Sequence, residues 1–498
     1  MYHHPGEYVT DFCIVKRENL YHLFHIRGER WTWPVGYREL DLGHATSTDL
    51  RTWTPHEPVL PAGPVGAWDE CGNWAPDIIE VDGTYYCYYT GSDTNNNQAI
   101  GLATSTDLFQ WEKHPANPVV VPGDWSDLAL GKDVAGRDAM VFHDRPNERY
   151  LLYYTATMAD GRACLAVSES TDLVHWHDLG PTYIEEDRSY NRLESAYLVE
   201  HAGRFYLFYS AKGGPKSKGS PATAYPHFDI VYQIGETPLG PWQKPVNHEL
   251  LTEATCASEH PTFDGTTYML YIIQEEIEGI WGASVLSDPK RIVWQADGTV
   301  QVHEHLPETV ERQAIFTGET DGFGDWVSHG SVWTASDDGV VTVAADTDTF
   351  FMNTLWGSDL AWEGEIQVGG GGVASLIVRG NPSAMAGYRI SLAQTTGTVA
   401  LYQRFPAQPD QLIQQRPVSL SANGWHKLKV VVQGGFFDIY VDDMLQIVRH
   451  HRTYTDGCFG LHAWGRVQFR KLNAYYWVDE TSQSNDWCVR CRPRHLFP

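Results

Sequence analysis

Five apolar segments in the first part of this 498-residue chain carry a carboxylate at their mouth. They are Thr10-Asp11-Phe12-Cys13-Ile14-Val15, Asn73-Trp74-Ala75-Pro76-Asp77-Ile78-Ile79, Gly136-Arg137-Asp138-Ala139-Met140-Val141-Phe142, Arg192-Leu193-Glu194-Ser195-Ala196-Tyr197-Leu198 and Ser258-Glu259-His260-Pro261-Thr262-Phe263. A charge beside apolar residues is costly unless it is paired or used. Several such groups around one axis repel each other and raise at least one pKa. Cleavage of a glycosidic bond needs that arrangement. One carboxyl stays protonated to donate to the leaving oxygen, and another stays ionised as nucleophile or base.

Residues this far apart meet only if a repeated unit carries them. One phrase recurs: His44-Ala-Thr-Ser-Thr-Asp-Leu-Arg-Thr-Trp53, Leu102-Ala-Thr-Ser-Thr-Asp-Leu-Phe-Gln-Trp111, Leu165-Ala-Val-Ser-Glu-Ser-Thr-Asp-Leu-Val-His-Trp176, a looser Gln233-Ile-Gly-Glu-Thr-Pro-Leu-Gly-Pro-Trp242, and Trp281-Gly-Ala-Ser-Val-Leu-Ser-Asp-Pro-Lys-Arg-Ile-Val-Trp294. The spacing is roughly 60 residues, the length of a β-propeller blade. The chain is therefore expected to be all-β, a five-bladed β-propeller followed by a second domain. Aromatic strands are predicted at Leu20–Ile26, Thr84–Thr90, Arg149–Thr155, Arg204–Ser210 and Thr267–Ile273. Several follow turn signals such as Val81-Asp-Gly-Thr84 and Phe263-Asp-Gly-Thr266, where glycine tolerates positive φ. Each blade is expected to open with a short inner strand and return as an aromatic one. The phrase forms the third strand, and a fourth follows the Trp.

The repeat stops near residue 312. Short alternating strands then predict a β-sandwich of jelly-roll type, with turns at Gly369–Gly372, Ala422-Asn-Gly424 and Asp442-Asp443. The expected domains are a catalytic propeller over 1–311, a sandwich over 312–478 and a C-terminal tail over 479–498. The insertion Lys212-Gly-Gly-Pro-Lys-Ser-Lys-Gly-Ser-Pro221 reads as a lid over the pocket or a plain surface excursion.

Sixty-three acidic against 36 basic residues give a formal charge of −27, which argues against nucleic acid and anionic membranes as partners. No stretch is apolar for long enough to span a bilayer. Met1-Tyr-His-His-Pro-Gly-Glu-Tyr8 has no apolar run, and the eight cysteines are scattered, several inside apolar strands. A cytoplasmic protein with a small carbohydrate substrate is expected. Cys488-Val-Arg-Cys491 lacks a second pair, so no metal site is assigned, and no organic cofactor is needed. A homo-oligomer is compatible with the sequence.

Residues from about 8 to 305 resemble the five-bladed propeller glycosidases, the superfamily of glycoside hydrolase families 32, 68, 43 and 62. Tyr21-His-Leu-Phe-His25 and Gly43-His-Ala-Thr-Ser-Thr-Asp-Leu-Arg-Thr-Trp53 are similar to family 32. Arg137-Asp138 matches the first two residues of its Arg-Asp-Pro motif, with Ala139 in place of Pro. Trp74-Ala-Pro-Asp77 is similar to family 43. The resemblance implies Asp11 as the catalytic carboxylate of blade one, Asp138 as the transition-state stabiliser and Glu194 as the general acid. It implies Arg137 as a donor to sugar hydroxyls. Thr10-Asp11-Phe12-Cys13 departs from the usual Asn-Asp-Pro-Asn, and Ser195 replaces the usual Cys after the acid.

The implied activity is release of a terminal furanose, a β-fructofuranoside first, by a retaining mechanism. One alternative is an inverting family 43-like arabinofuranosidase or xylosidase. Another is a carbohydrate-binding propeller without catalysis. Each residue also has a structural alternative. Asp11 could cap a strand, Asp138 could pair with Arg137, and Glu194 could pair with Arg192. Asp77 and Glu259 could hold a substrate, a water, an ion or an arginine. His260 could touch substrate or sit in the channel. Trp31, Trp33 and Trp74 could stack on sugar or pack at the rim.

Overall fold

The repeated phrase folds into one turn, three times over. Ser47 Oγ donates to Asp49 Oδ1 at 2.9 Å, and that oxygen accepts the N–H groups of Arg51 and Thr52 at 2.8 Å each. Ser105 and Asp107 do the same for Phe109 and Gln110 at 2.8 and 2.7 Å. Ser170 and Asp172 do it for Val174 and His175 at 3.0 and 2.8 Å. A side-chain oxygen that accepts backbone donors two and three residues on makes an Asx-type turn. The leucines inside these turns, Leu50, Leu108 and Leu173, take positive φ and are buried. The phrase thus closes the third strand and drives an apolar side chain into the core.

The computed structural model describes residues 1–3, 7–29, 39–126, 136–186, 189–213, 228–277, 280–306, 311–319, 321–324, 326–336, 339–383, 385–406 and 408–478. Among these the chain is all-β, and the one helical segment is the 3-10 turn Arg145–Asn147. Trp31 and Trp33, the expected lid beyond Gly213, the tail and Cys488 and Cys491 lie outside the described residues. Two compact units are formed, Met1–His305 and Leu306–Pro498.

In the first unit, four antiparallel groups of four strands follow the chain in a propeller-like arrangement, the first three as separate sheets and the fourth as the start of a larger one. They are β1 (Glu7–Arg17), β2 (Leu20–Glu29), β3 (Leu42–Ser47) and β4 (Thr54–Val59); β5 (Gly72–Val81), β6 (Thr84–Ser92), β7 (Gln98–Ser105) and β8 (Glu112–Lys113); β9 (Arg137–Asp144), β10 (Arg149–Thr157), β11 (Ala163–Ser170) and β12 (His177–Ile184); β13 (Arg192–His201), β14 (Arg204–Lys212), β15 (Phe228–Gly235) and β16 (Trp242–Gln243). Next come β17 (Glu249–Glu259), β18 (Thr262–Phe263), β19 (Thr266–Ile277), β20 (Ile280–Leu286), β21 (Lys290–Trp294) and β22 (Val300–Glu304), where β17 pairs with β19 and β19 with β20. The aromatic strands stand where the pattern places them. The first strand of each group runs to 8–11 residues and is longer than expected. These first strands are neighbours in a closed cycle: β1 lies against β5, β5 against β9, β9 against β13, β13 against β17 and β17 against β1.

The second unit runs β23 (Glu311–Thr317), β24 (Val327–His329), β25 (Thr334–Ala335), β26 (Val341–Gly357), β27 (Leu360–Val368), β28 (Val373–Asn381), β29 (Ala386–Ala393), β30 (Thr398–Arg404), β31 (Gln411–Pro417), β32 (Trp425–Gln433), β33 (Phe436–Val441), β34 (Met444–His450) and β35 (Gly457–Val478). The long β35 joins two antiparallel runs, β28-β29-β30-β31 and β27-β32-β33-β34. Leu376, Ile390, Leu401, Trp362, Val430, Ile439, Phe459 and Leu461, drawn from both runs and from β35, share one apolar core.

Candidate active site

All five first strands bulge at the same level. The pairing slips between Thr10 and Phe12, between Trp74 and Asp77, between Arg137 and Met140, between Glu194 and Tyr197, and between Cys256 and Ser258. Each slip inserts one residue. Four of the bulges hold a non-glycine residue at positive φ: Ala75, Asp138, Ser195 and Ala257. A bulge bends its strand and re-aims side chains. A non-glycine residue held at positive φ marks a site where the surroundings impose the conformation.

The bulges sort the carboxylates by depth. Glu194, Arg137 and Trp74 stand just before the bulge, Asp11, Asp138 and Ser195 within it, and Asp77, Glu259, Tyr197 and Cys13 just beyond. The strand mouths alone suggested one acidic ring. The geometry separates it into levels.

Asp11, Asp138 and Glu194 are brought together, with Arg137 and Ser195 between them. Arg137 Nη2 donates to Glu194 Oε1, and Arg137 Nε lies 3.6 Å from Asp138 Oδ2. Arg192 Nη1 stands 3.5 Å from Glu194 Oε1. Ser195 Oγ donates to Asp11 Oδ1 at 3.1 Å, and Ser195 N–H donates to Asp138 Oδ2 at 3.3 Å. Thr155 Oγ1 donates to the same Asp138 oxygen at 3.1 Å, while Thr90 Oγ1 accepts the Asp138 N–H at 3.1 Å. The alternatives that pair Asp138 with Arg137 and Glu194 with Arg192 are thus present as contacts, inside a larger network.

Burial first, then the charges of Asp138 and Glu194, push the Asp11 carboxyl well up, against the Ser195 hydrogen bond and Arg137. Burial also raises Asp138, with Arg137 as the main opposing charge. Carboxyls this strongly linked titrate as a set.

The remaining candidates divide. Asp77 accepts the Val141 N–H at 2.7 Å, so it ties β5 to β9, and burial pushes its carboxyl up to about 7. Glu259 is raised by burial and then by Asp77 and Asp11, which places it within electrostatic reach of both. His260 is buried, with Nε2 3.0 Å from Ser258 Oγ and its ring stacked on Phe208 at 3.9 Å between centroids. Burial lowers its pKa to about 3, which favours the neutral imidazole. The Trp74 ring lies against Gly72, where a Cβ would stand 2.6 Å from Trp74 Nε1. Among the described residues no group of three or more His, Cys, Asp or Glu side chains could hold a metal ion.

Ser195, Thr90 and Thr155 join this network without standing among the residues that the strand-mouth pattern picks out. A signal for the last two is in the sequence. Tyr89-Thr90, Tyr154-Thr155 and Tyr209-Ser210 repeat a hydroxyl after a tyrosine near the end of the second strand, where an apolar residue would extend the run. Thr90, Thr155 and Ser210 pair with Trp74, Arg137 and Glu194, so the repeat falls at the bulge.

The family model for Glycosyl hydrolases family 43 matches residues 8–157. A levanase of Bacillus subtilis (strain 168) is 25% identical over 200 residues, covering 38% of this chain and 29% of the levanase. A probable arabinan endo-1,5-alpha-L-arabinosidase C of Aspergillus niger is 30% identical over 179 residues, covering 34% of this chain and 51% of its own length. By these matches the first part of the chain is similar to the β-propeller glycosidases. The fold aligns along nearly the whole chain with solved structures. A Bombyx mori GH32 beta-fructofuranosidase superposes with a TM-score of 0.64 at 16% identity, over 95% of this chain and 91% of that one. Fructan 1-exohydrolase IIa of Cichorium intybus gives 0.67 at 14% identity, over 95% and 96%. At the level of sequence, the chain spans under a third of that levanase and about half of the arabinosidase.

Proposed function

We propose that this chain is an exo-acting O-glycoside hydrolase that releases a terminal furanose, a β-fructofuranoside, from short oligosaccharides with retention. The observation that carries this is the Asp11–Ser195–Glu194–Arg137–Asp138 network, which gathers three carboxyls from three separate sheets. Glu194 gives its proton to the glycosidic oxygen as the bond to the anomeric carbon breaks. Asp11 forms an ester with that carbon. Water then attacks the carbon, loses a proton to Glu194 and frees Asp11. Asp138 and Arg137 hold sugar hydroxyls, and Trp74 stacks on the ring at the mouth. Levanase and fructofuranosidase relatives support the choice of sugar.

The architecture we propose is a five-bladed propeller over 1–311, a β-sandwich over 312–478 and a tail over 479–498. The closed cycle of first strands supports the blade number, and the two runs joined by β35 support the sandwich. A reducing, cytoplasmic location suits the free thiols of Cys13, Cys71, Cys87 and Cys164.

The test is hydrolysis of sucrose, short fructo-oligosaccharides and aryl arabinofuranosides by wild type, Asp11→Ala and Glu194→Ala. Fructose release that falls by three orders of magnitude or more in Asp11→Ala is expected, on the order of what a covalent catalyst contributes. Wild-type turnover in either variant would remove the mechanism. A second reading, an inverting arabinan-active enzyme, is favoured by the family 43 match and by Trp74-Ala-Pro-Asp77. Release of arabinose without fructose would select it.

A further inference from the structure

Ser195 touches every member of the carboxyl trio. It follows Glu194 in the chain, its hydroxyl donates to Asp11 Oδ1 at 3.1 Å, and its backbone N–H donates to Asp138 Oδ2 at 3.3 Å. Those partners belong to β1 and β9, whereas Ser195 belongs to β13. It can reach them because it stands in the bulge. Between Glu194 and Tyr197 the pairing with β14 slips by one residue, and Ser195 takes φ +51°. The slip turns its N–H away from the ladder with β14 and toward β9. Asparagine, aspartate and glycine adopt this conformation more readily than serine. A serine held there is retained against its backbone preference, and the structure supplies a use for its hydroxyl.

The two oxygens of Asp11 differ as a result. Oδ1 receives the Ser195 hydroxyl. Among the described residues the hydrogen-bond partner of Oδ2 is Thr10 Oγ1, at 3.5 Å, the outer limit of a hydrogen bond. We propose that Ser195 is the positioning residue of Asp11: its hydroxyl anchors Oδ1 and leaves Oδ2 as the oxygen that bonds to the anomeric carbon. For what Asp11 does, this rests on the glycosidase reading; for what holds Asp11, it rests on geometry alone. A hydroxyl that donates to a carboxylate stabilises the ionised form. It opposes the burial and the neighbouring charges that push Asp11 the other way. Alanine removes that donor, threonine keeps it, and neither touches the backbone bond to Asp138.

The experiment uses the full chain labelled with 13C at the aspartate carboxyls, with the Asp11 resonance assigned through Asp11→Asn. Wild type, Ser195→Ala and Ser195→Thr are titrated, and kcat/KM is measured against pH on a furanoside the wild type cleaves. In Ser195→Ala the Asp11 midpoint is expected to rise by about one pH unit, the size of one lost hydrogen bond to a charged group. The acid limb of kcat/KM should move with it, kcat should fall about tenfold or more, and KM should change little. Ser195→Thr should restore the midpoint and the limb. An Asp11 midpoint and acid limb that stay in place in Ser195→Ala overturn the proposal. If the wild type cleaves no furanoside, or if Asp11→Asn hydrolyses one like wild type, the glycosidase reading or the nucleophile role of Asp11 fails respectively, and the carboxyl titration still decides what Ser195 does to Asp11.

Discussion

Arg137 of β9 donates through Nη2 to Glu194 Oε1 of β13, and the two side chains are only 13% and 15% exposed. The same guanidinium lies beside Asp138. One cation therefore meets two carboxylates from adjacent first strands, in a setting where charge is poorly screened. Arg137→Lys keeps the charge but loses the planar fork. It is expected to reduce kcat/KM by about a hundredfold, in the range of other lost electrostatic contacts in catalysis. Steady-state kinetics on a fructo-oligosaccharide checks this. Activity within threefold of wild type would place Arg137 outside the machinery.

A leaving group that needs no proton should separate the two carboxyl roles. On an activated aryl furanoside Glu194→Ala should keep the rate of the bond-breaking step to within about tenfold, whereas on sucrose it should lose roughly a thousandfold. Asp11→Ala should lose both. NMR of the first-formed anomer should show the starting configuration, since two displacements at one carbon restore it. An inverted first product would transfer the chain to the second reading.

Asp77 lends itself to a stability test because its carboxyl is held up to about 7 by burial. An acid raised in the folded state binds its proton more tightly folded than unfolded. Its contribution is therefore fully present below about pH 4 and is lost as pH climbs through about 7. Asp77→Asn removes the ionisable group but leaves a carbonyl to accept the Val141 N–H. The variant's Tm relative to wild type should increase from pH 4.5 to pH 8, by an amount on the order of a few kcal/mol of stability at most. A Tm difference that does not vary with pH would show that Asp77 ionises freely.

In the second unit, Arg379 is buried to 1% exposure and serves as a hub. Its Nε donates to Ser358 O, its Nη1 to Tyr454 O and its Nη2 to Gly434 O, at 3.0, 3.0 and 2.6 Å, with Asp359 Oδ1 at 3.2 Å. Arg379→Ala leaves three carbonyls and a carboxylate without that donor. A loss of about 3 kcal/mol or more is expected, as for other broken buried charge networks. Urea unfolding followed by tryptophan fluorescence reports it. A loss below 1 kcal/mol would mean that water replaces the guanidinium.

Much of the first unit was legible because its repeats are written in residues that form turns. Ser-Thr-Asp-Leu makes an Asx-type turn wherever it occurs, and Asp82-Gly83 and Asp264-Gly265 reverse the chain at positive φ. The convergence of Asp11, Asp138 and Glu194 was legible from their shared place at strand mouths. The depth of Asp77 and Glu259 was not. Their levels depend on bulges held by Ala75, Asp138, Ser195 and Ala257, and none of these is the glycine that would signal such a backbone. In the sequence Ser195 stands out only as a departure from the family pattern. Its two donor bonds reach β1 and β9, and sequence spacing carries no trace of that distance.

The bulges also have a bearing on how such a protein can change. The strand ladders on either side of each slip, and the turns that close the third strands, do not depend on which side chain occupies the slip itself. Alanine, aspartate and serine all stand there in this one molecule. Selection can therefore rewrite reactivity one sector at a time while leaving the folding instructions of the neighbouring sectors untouched, so divergent chemistries can share a common frame at little risk to its assembly.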